Sequence, residues 1–100
     1  MKKLELGSVY VDPINAYLSY REKCGVRNIH NKFQYYRKLD QFILKEGIKN
    51  ISFTQDQASR WRMPFQKESE TGRYKRINYT KKFFEYLFIR GDDVFQFSDH

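Results

Sequence analysis

The sequence predicts an all-α fold, a compact four-helix domain. Three observations carry that expectation. Apolar residues recur at three- and four-residue spacing in four separate segments, glycines at 25, 47 and 91 close three of them, and no stretch sustains the alternation of a strand. With 100 residues, 40% of them hydrophobic and 18% aromatic, the chain has material for one domain and a modest core. The mean hydropathy of −0.83 is low. Nine Phe, eight Tyr and one Trp nevertheless set it apart from disordered chains, which are poor in aromatics.

Residues 1–11 show no periodicity and read as an extended or loosely ordered arm. Asp12-Pro13 has the chemistry of a helix start, since Asp caps and Pro suits the first helical position. Ile14, Tyr17 and Leu18, with Cys24 a further candidate, give the buried stripe of a helix over about 13–24, ended by Gly25. Asn28 is a candidate cap for a second helix reaching residue 46. Its stripe is Ile29, Phe33, Tyr36, Leu39 or Asp40, and Ile43, and Gly47 ends it. Lys32, Tyr35, Lys38, Gln41 and Lys45 fall off that stripe.

Residues 47–53 form a connector expected to bury Ile48, Ile51 and Phe53. Ser52 or Thr54 begins the third helix, where Thr54 and Gln57 have the spacing of a capping box. Ala58, Trp61 and Phe65 are expected inside, and Pro64 ends or kinks the helix. Residues 66–72 read as a polar surface loop. A fourth helix is predicted over about 73–89, burying Ile77, Thr80, Phe84 and Leu87 or Phe88 and closed by Gly91. The division expected is therefore an arm at 1–11, a helical domain at 12–91 and the start of a linker at 92–100.

Catalytic chemistry finds no constellation in this sequence. The single cysteine, Cys24, excludes an intrachain disulfide and a multi-cysteine zinc site, and its neighbours mark a helix end. His30 and His100 are the only histidines, and no HExxH, Walker A or G-x-S-x-G motif occurs. Asp92-Asp93 and Glu68-x-Glu70 read as solvated turns. None of the eight tyrosines has basic neighbours that specify an activated nucleophile. No enzyme activity, cofactor, metal or small-molecule substrate is expected. No apolar run has the 18 or so residues that span a bilayer, and the N-terminus lacks a signal-peptide core, so a cytoplasmic protein without a membrane partner is the expectation.

Charge is more informative. The net charge is +7 and the pI about 9.6, in the range of nucleic-acid binders. The cations are concentrated. Arg21, Lys23, Arg27, Lys32, Arg37 and Lys38 face one acid, Glu22, and the segment RYKRINYTKK holds Arg73, Lys75, Arg76, Lys81 and Lys82 with none. With Ile77, Thr80 and Phe84 turned inward, Lys75, Asn78, Tyr79 and Lys82 turn outward together. Such a face offers cations to phosphates or guanine edges, an amide to adenine and a ring to sugars. The alternative is a solvated basic helix face with tyrosines filling the core. Arg27, Asn28, His30, Asn31, Lys32 and Tyr35 form a similar patch at the second helix, where His30 reads equally as an exposed or capping residue. Trp61, aligned with Ala58, reads as core rather than as a stacking platform.

Asn31, Tyr35, Leu39 and Phe42 follow one another in the second helix, and Thr54 and Trp61 in the third. Arg76 precedes an F-x-Y-L-x-x-x-G ending made by Phe84, Tyr86, Leu87 and Gly91. The order of these elements resembles the N-terminal SAM-like, or core-binding, domain of tyrosine recombinases and phage integrases. The match covers about residues 12–95. The resemblance implies a domain that clamps one side of duplex DNA through its second and fourth helices while a separate catalytic domain grips the other. It assigns DNA contacts to His30, Asn31, Lys32 and Tyr35, and to Arg73, Lys75, Arg76, Asn78, Tyr79 and Lys82. It implies other recombinase subunits as partners in a synaptic complex. The family's catalytic set belongs to the other domain, and no H-x-x-R occurs here. Two other readings stand beside it: a helical protein-interaction module whose basic face meets an acidic partner, and an RNA binder. On the recombinase reading, the two cation-rich helix beginnings lie side by side.

Overall fold

A computed structural model describes residues 6–25 and 33–97. They form four helices, α1 (Val11–Lys23), α2 (Phe33–Glu46), α3 (Gln55–Arg62) and α4 (Glu70–Arg90), and two short strands, β1 (Ser52–Phe53) and β2 (Asp93–Val94). The all-α class and the four helices are as expected. The chain divides into two units, Met1–Asn50 and Ile51–His100.

In the first unit, α1 starts before Asp12. The Tyr10 N–H donates to Ser8 Oγ (3.1 Å) and the Val11 N–H to the Ser8 carbonyl (3.2 Å), so a turn at Ser8 launches the helix. Pro13 then sits within the first turn, where its missing N–H removes no intrahelical bond. Pro13, Ile14, Tyr17 and Leu18 are buried; Cys24, a candidate for the same stripe, caps the C-terminus and is exposed. α2 buries Phe33, Tyr36, Leu39, Asp40 and Ile43, the expected stripe. Tyr17 and Tyr36 meet edge to face at 6.3 Å between centroids. The proposed start of this helix at Asn28 and Ile29 lies outside the described residues.

The arm is tied down rather than loose over its described part. The Asp40 carboxylate, itself buried, accepts the Gly7 N–H (3.1 Å) and the Ser8 N–H (2.9 Å). A buried carboxylate is tolerable when backbone donors replace water around it. Ser8 and Tyr10 are buried beside it. No sequence pattern near residues 6–10 announces this, because the partner lies some thirty residues away.

The second unit opens on β1. Thr54 caps α3 through the capping box: Thr54 Oγ1 accepts from the Gln57 N–H (3.2 Å) and Gln57 Oε1 from the Thr54 N–H (2.8 Å). Ala58 and Trp61 are buried, Phe65 half-buried, and α3 stops ahead of Met63-Pro64. α4 begins at Glu70, inside the stretch expected to be loop, because Ser69 caps it, with Oγ accepting from the Gly72 N–H (3.0 Å). Its buried stripe is Arg76, Thr80, Phe83, Phe84 and Leu87. Ile77, expected inside, is half-buried and Phe88 is exposed. Gly91 ends the helix at φ 102°, a conformation that costs a side-chain-bearing residue.

Two elements escape the periodic reading. β1 and β2 pair in parallel, Ser52 with Asp93 and Phe53 with Val94, and the Phe95 N–H donates to the Phe53 carbonyl (2.9 Å). Val94 and Phe97 are buried. Phe53, Phe84 and Phe97 pack with centroids 4.8–6.4 Å apart. Residues 92–97, read as the start of a linker, thus belong to this core.

Candidate nucleic-acid interface

The segment from Arg73 to Lys82 lies wholly within α4, and its cations have two different fates. Arg76 is fully buried. Its Nε lies 2.8 Å from Glu68 Oε2 and its Nη2 2.9 Å from Glu68 Oε1, a bidentate pair whose side chains are 0% and 6% exposed. Nη1 donates to the Trp61 carbonyl and Nη2 to the Met63 carbonyl (3.0 Å). The guanidinium carbon lies 4.6 Å from the centroid of the Trp61 ring and 3.9 Å from that of Phe65. One turn earlier, half-buried Arg73 gives its Nε to the Arg62 carbonyl (2.6 Å).

These bonds share one cause. The last turn of a helix leaves carbonyls without intrahelical donors and carries partial negative charge. Here the end of α3 takes its donors, and positive charge, from α4. One turn further along α4, Trp61 Nε1 donates to Thr80 Oγ1 (3.0 Å), whose own hydroxyl donates to the Arg76 carbonyl (2.8 Å). The assignment of Arg76 to DNA is therefore corrected. A guanidinium with no exposed surface, and with an internal acceptor at each of its three nitrogens, cannot reach a phosphate. Arg73 likewise spends its Nε on α3.

Lys75 and Lys82 are exposed, with half-buried Asn78 and Tyr79 between them. At 100° per residue these four occupy one flank of α4, and the two lysines stand about 10 Å apart along the axis. The same flank continues to Tyr86, half-buried, and Ile89, which is 85% exposed. No acidic side chain interrupts it between Lys75 and Lys82.

On α2, Tyr35 is half-buried with the Lys38 ammonium 5.9 Å from its ring centroid, and Arg37 stands 5.9 Å over Phe33. Gln34, Arg37, Gln41 and Lys45 are exposed, while the only acid inside this stretch, Asp40, points into the core. His30, Asn31 and Lys32 lie outside the described residues. So do Arg27 and Asn28, and with them the cation-rich beginning expected for the second helix.

No family model, curated protein or solved structure matches the chain. Its site must be read from its own chemistry. Among the described residues no group of three His, Cys, Asp or Glu side chains could hold a metal ion, and no helix is long and apolar enough to cross a membrane.

Sequence reasoning missed Glu68 altogether by assigning it to a solvated turn. The usable signal was an arginine standing at i, i+4, i+7, i+8 and i+11 with Thr80, Phe83, Phe84 and Leu87. A cation inside an apolar stripe requires a buried partner, and upstream of Arg76 the sequence offers two near acids, Glu70 and Glu68, of which the fold uses Glu68. Asp92 is also paired, with Oδ2 3.1 Å from Arg90 Nε.

Proposed function

We propose that this chain binds duplex DNA through the outer flank of α4, as the clamp module of a tyrosine recombinase acting in the cytoplasm. The observation that supports it is the row of Lys75, Asn78, Tyr79 and Lys82 on a helix of 21 residues whose opposite side is anchored in a core. Two ammonium groups about 10 Å apart suit phosphates along a groove. An amide between them can bond an adenine edge, and a phenol can pack on deoxyribose. The recombinase part of the reading comes from the resemblance in motif order. It assigns strand-exchange chemistry to a different domain and makes other recombinase subunits the partners.

The test is fluorescence anisotropy with a labelled duplex between about 50 and 200 mM salt. The Lys75→Ala/Lys82→Ala variant is expected to bind more weakly and to lower the slope of log K against log salt by about 1.8, two phosphates at about 0.9 each. Affinity indifferent to salt, or a slope unchanged in the variant, overturns the reading. The exposed Phe88 and Ile89 at the end of α4 favour a second reading, a helical module with a basic face for an acidic protein. Absence of duplex binding at low salt, with retention on an acidic protein, selects it.

A further inference from the structure

We propose a second phosphate contact away from the helix flank, at the tip of the α3–α4 connector, carried by Lys67. The proposal rests on the duplex-binding reading above. Residues 57–67 contain Arg60, Arg62 and Lys67 and no acidic residue. The acid that follows, Glu68, is committed to Arg76. Between α3 and α4 the exposed charge is therefore that of Lys67, since Glu68 is turned inward onto Arg76.

The geometry of the tip is unusual. Phe65 to Glu68 forms a turn closed twice: the Glu68 N–H donates to the Phe65 carbonyl (3.0 Å), and the Phe65 N–H donates to Glu68 Oε1 (3.0 Å). Lys67 is the third residue of this turn and has φ 63°, the only positive φ outside glycine among the described residues. Glycine ordinarily fills that position, because an L side chain is strained there. This sequence places a lysine instead, and the lysine is exposed together with Gln66.

The strain is held from beneath. Glu68 is clamped by the buried guanidinium of Arg76, whose other side stacks on Phe65. A turn fixed by its underside keeps the Lys67 backbone in place before any partner arrives, so docking costs less ordering entropy than it would for a loose loop. A cation on a preformed turn, beside an amide donor and the exposed Met63 and Pro64, fits a sugar–phosphate backbone. Strained non-glycine residues of this kind cluster at ligand clamps and other functional sites.

The experiment uses the full chain and the same labelled duplex, with Lys67→Gly, Lys67→Ala and Lys67→Arg. Lys67→Gly is expected to raise the thermal midpoint, because glycine tolerates the positive φ, and to lower the salt slope by about 0.9. Lys67→Ala should lower the slope equally without the gain in midpoint, and Lys67→Arg should keep the slope. Unchanged slope and affinity in the Gly and Ala variants, while Lys75→Ala/Lys82→Ala still lowers both, overturn the Lys67 contact and leave the α4 reading intact. A parent chain that binds no duplex at low salt overturns both.

Discussion

Replacing Arg76 by Ala separates a structural cation from a binding one, and the coordinates set the size of the effect. The change removes one partner of a pair whose side chains are 0% and 6% exposed, leaving Glu68 charged beneath the connector. It also strips donors from the Trp61 and Met63 carbonyls and empties the space between Trp61 and Phe65. Breaking a buried pair by removing one member costs about 3–5 kcal/mol, against about 0–1 kcal/mol for an exposed pair. Urea titration followed by fluorescence is the assay. Trp61 is the only tryptophan, so the signal arises from the cluster being tested. Glu68→Gln, which strands the guanidinium, is expected to fall in the same range, and Arg76→Ala/Glu68→Gln should cost clearly less than the sum of the two single changes. A surface arginine serving only DNA would behave in the opposite way, with stability moved by less than about 0.5 kcal/mol and a slope loss of about 0.9. A loss below about 1 kcal/mol for Arg76→Ala would refute the latch.

Two further substitutions test the corrections at either end of the chain. Asp40→Ala leaves the Gly7 and Ser8 N–H groups without their carboxylate and should cost about 1.5–3 kcal/mol. Amide hydrogen exchange at those two positions should accelerate, whereas a loose arm would already exchange at the unprotected rate. Phe97→Ala removes a buried ring from the Phe53–Phe84 cluster and should destabilise the second unit by about 3–5 kcal/mol. An unchanged urea midpoint for this variant would return residues 92–97 to the status of a linker.

What the sequence disclosed was local. The capping box at Thr54 and Gln57 lies within four residues, and the stripe from Phe33 to Ile43 repeats a single period, so both were legible. The register of α4 was not. Arg76 and Ile77 are neighbours 100° apart on the helix, and a pattern that treats every arginine as polar chooses Ile77. The deciding fact, that Glu68, Trp61 and Phe65 together accommodate a buried guanidinium, appears only when the connector is folded back on α4. The strands failed for another reason. Two residues are too few to display alternation, and their pairing spans about forty residues of sequence. The candidate site was half legible in the same sense: Lys75 and Lys82 are surface cations in both readings, whereas Arg76 is structural.

The pairing of β1 with β2 sets an order of events during synthesis. β1 leaves the ribosome well before Asp93 and Val94, so the Phe53–Phe84 pair lacks its cover from Phe97 until the chain has been made that far. The packing of the second unit is therefore complete only once its last described residues have been made. Any boundary drawn to express it alone belongs beyond Phe97, not at Gly91 where the helical rhythm stops.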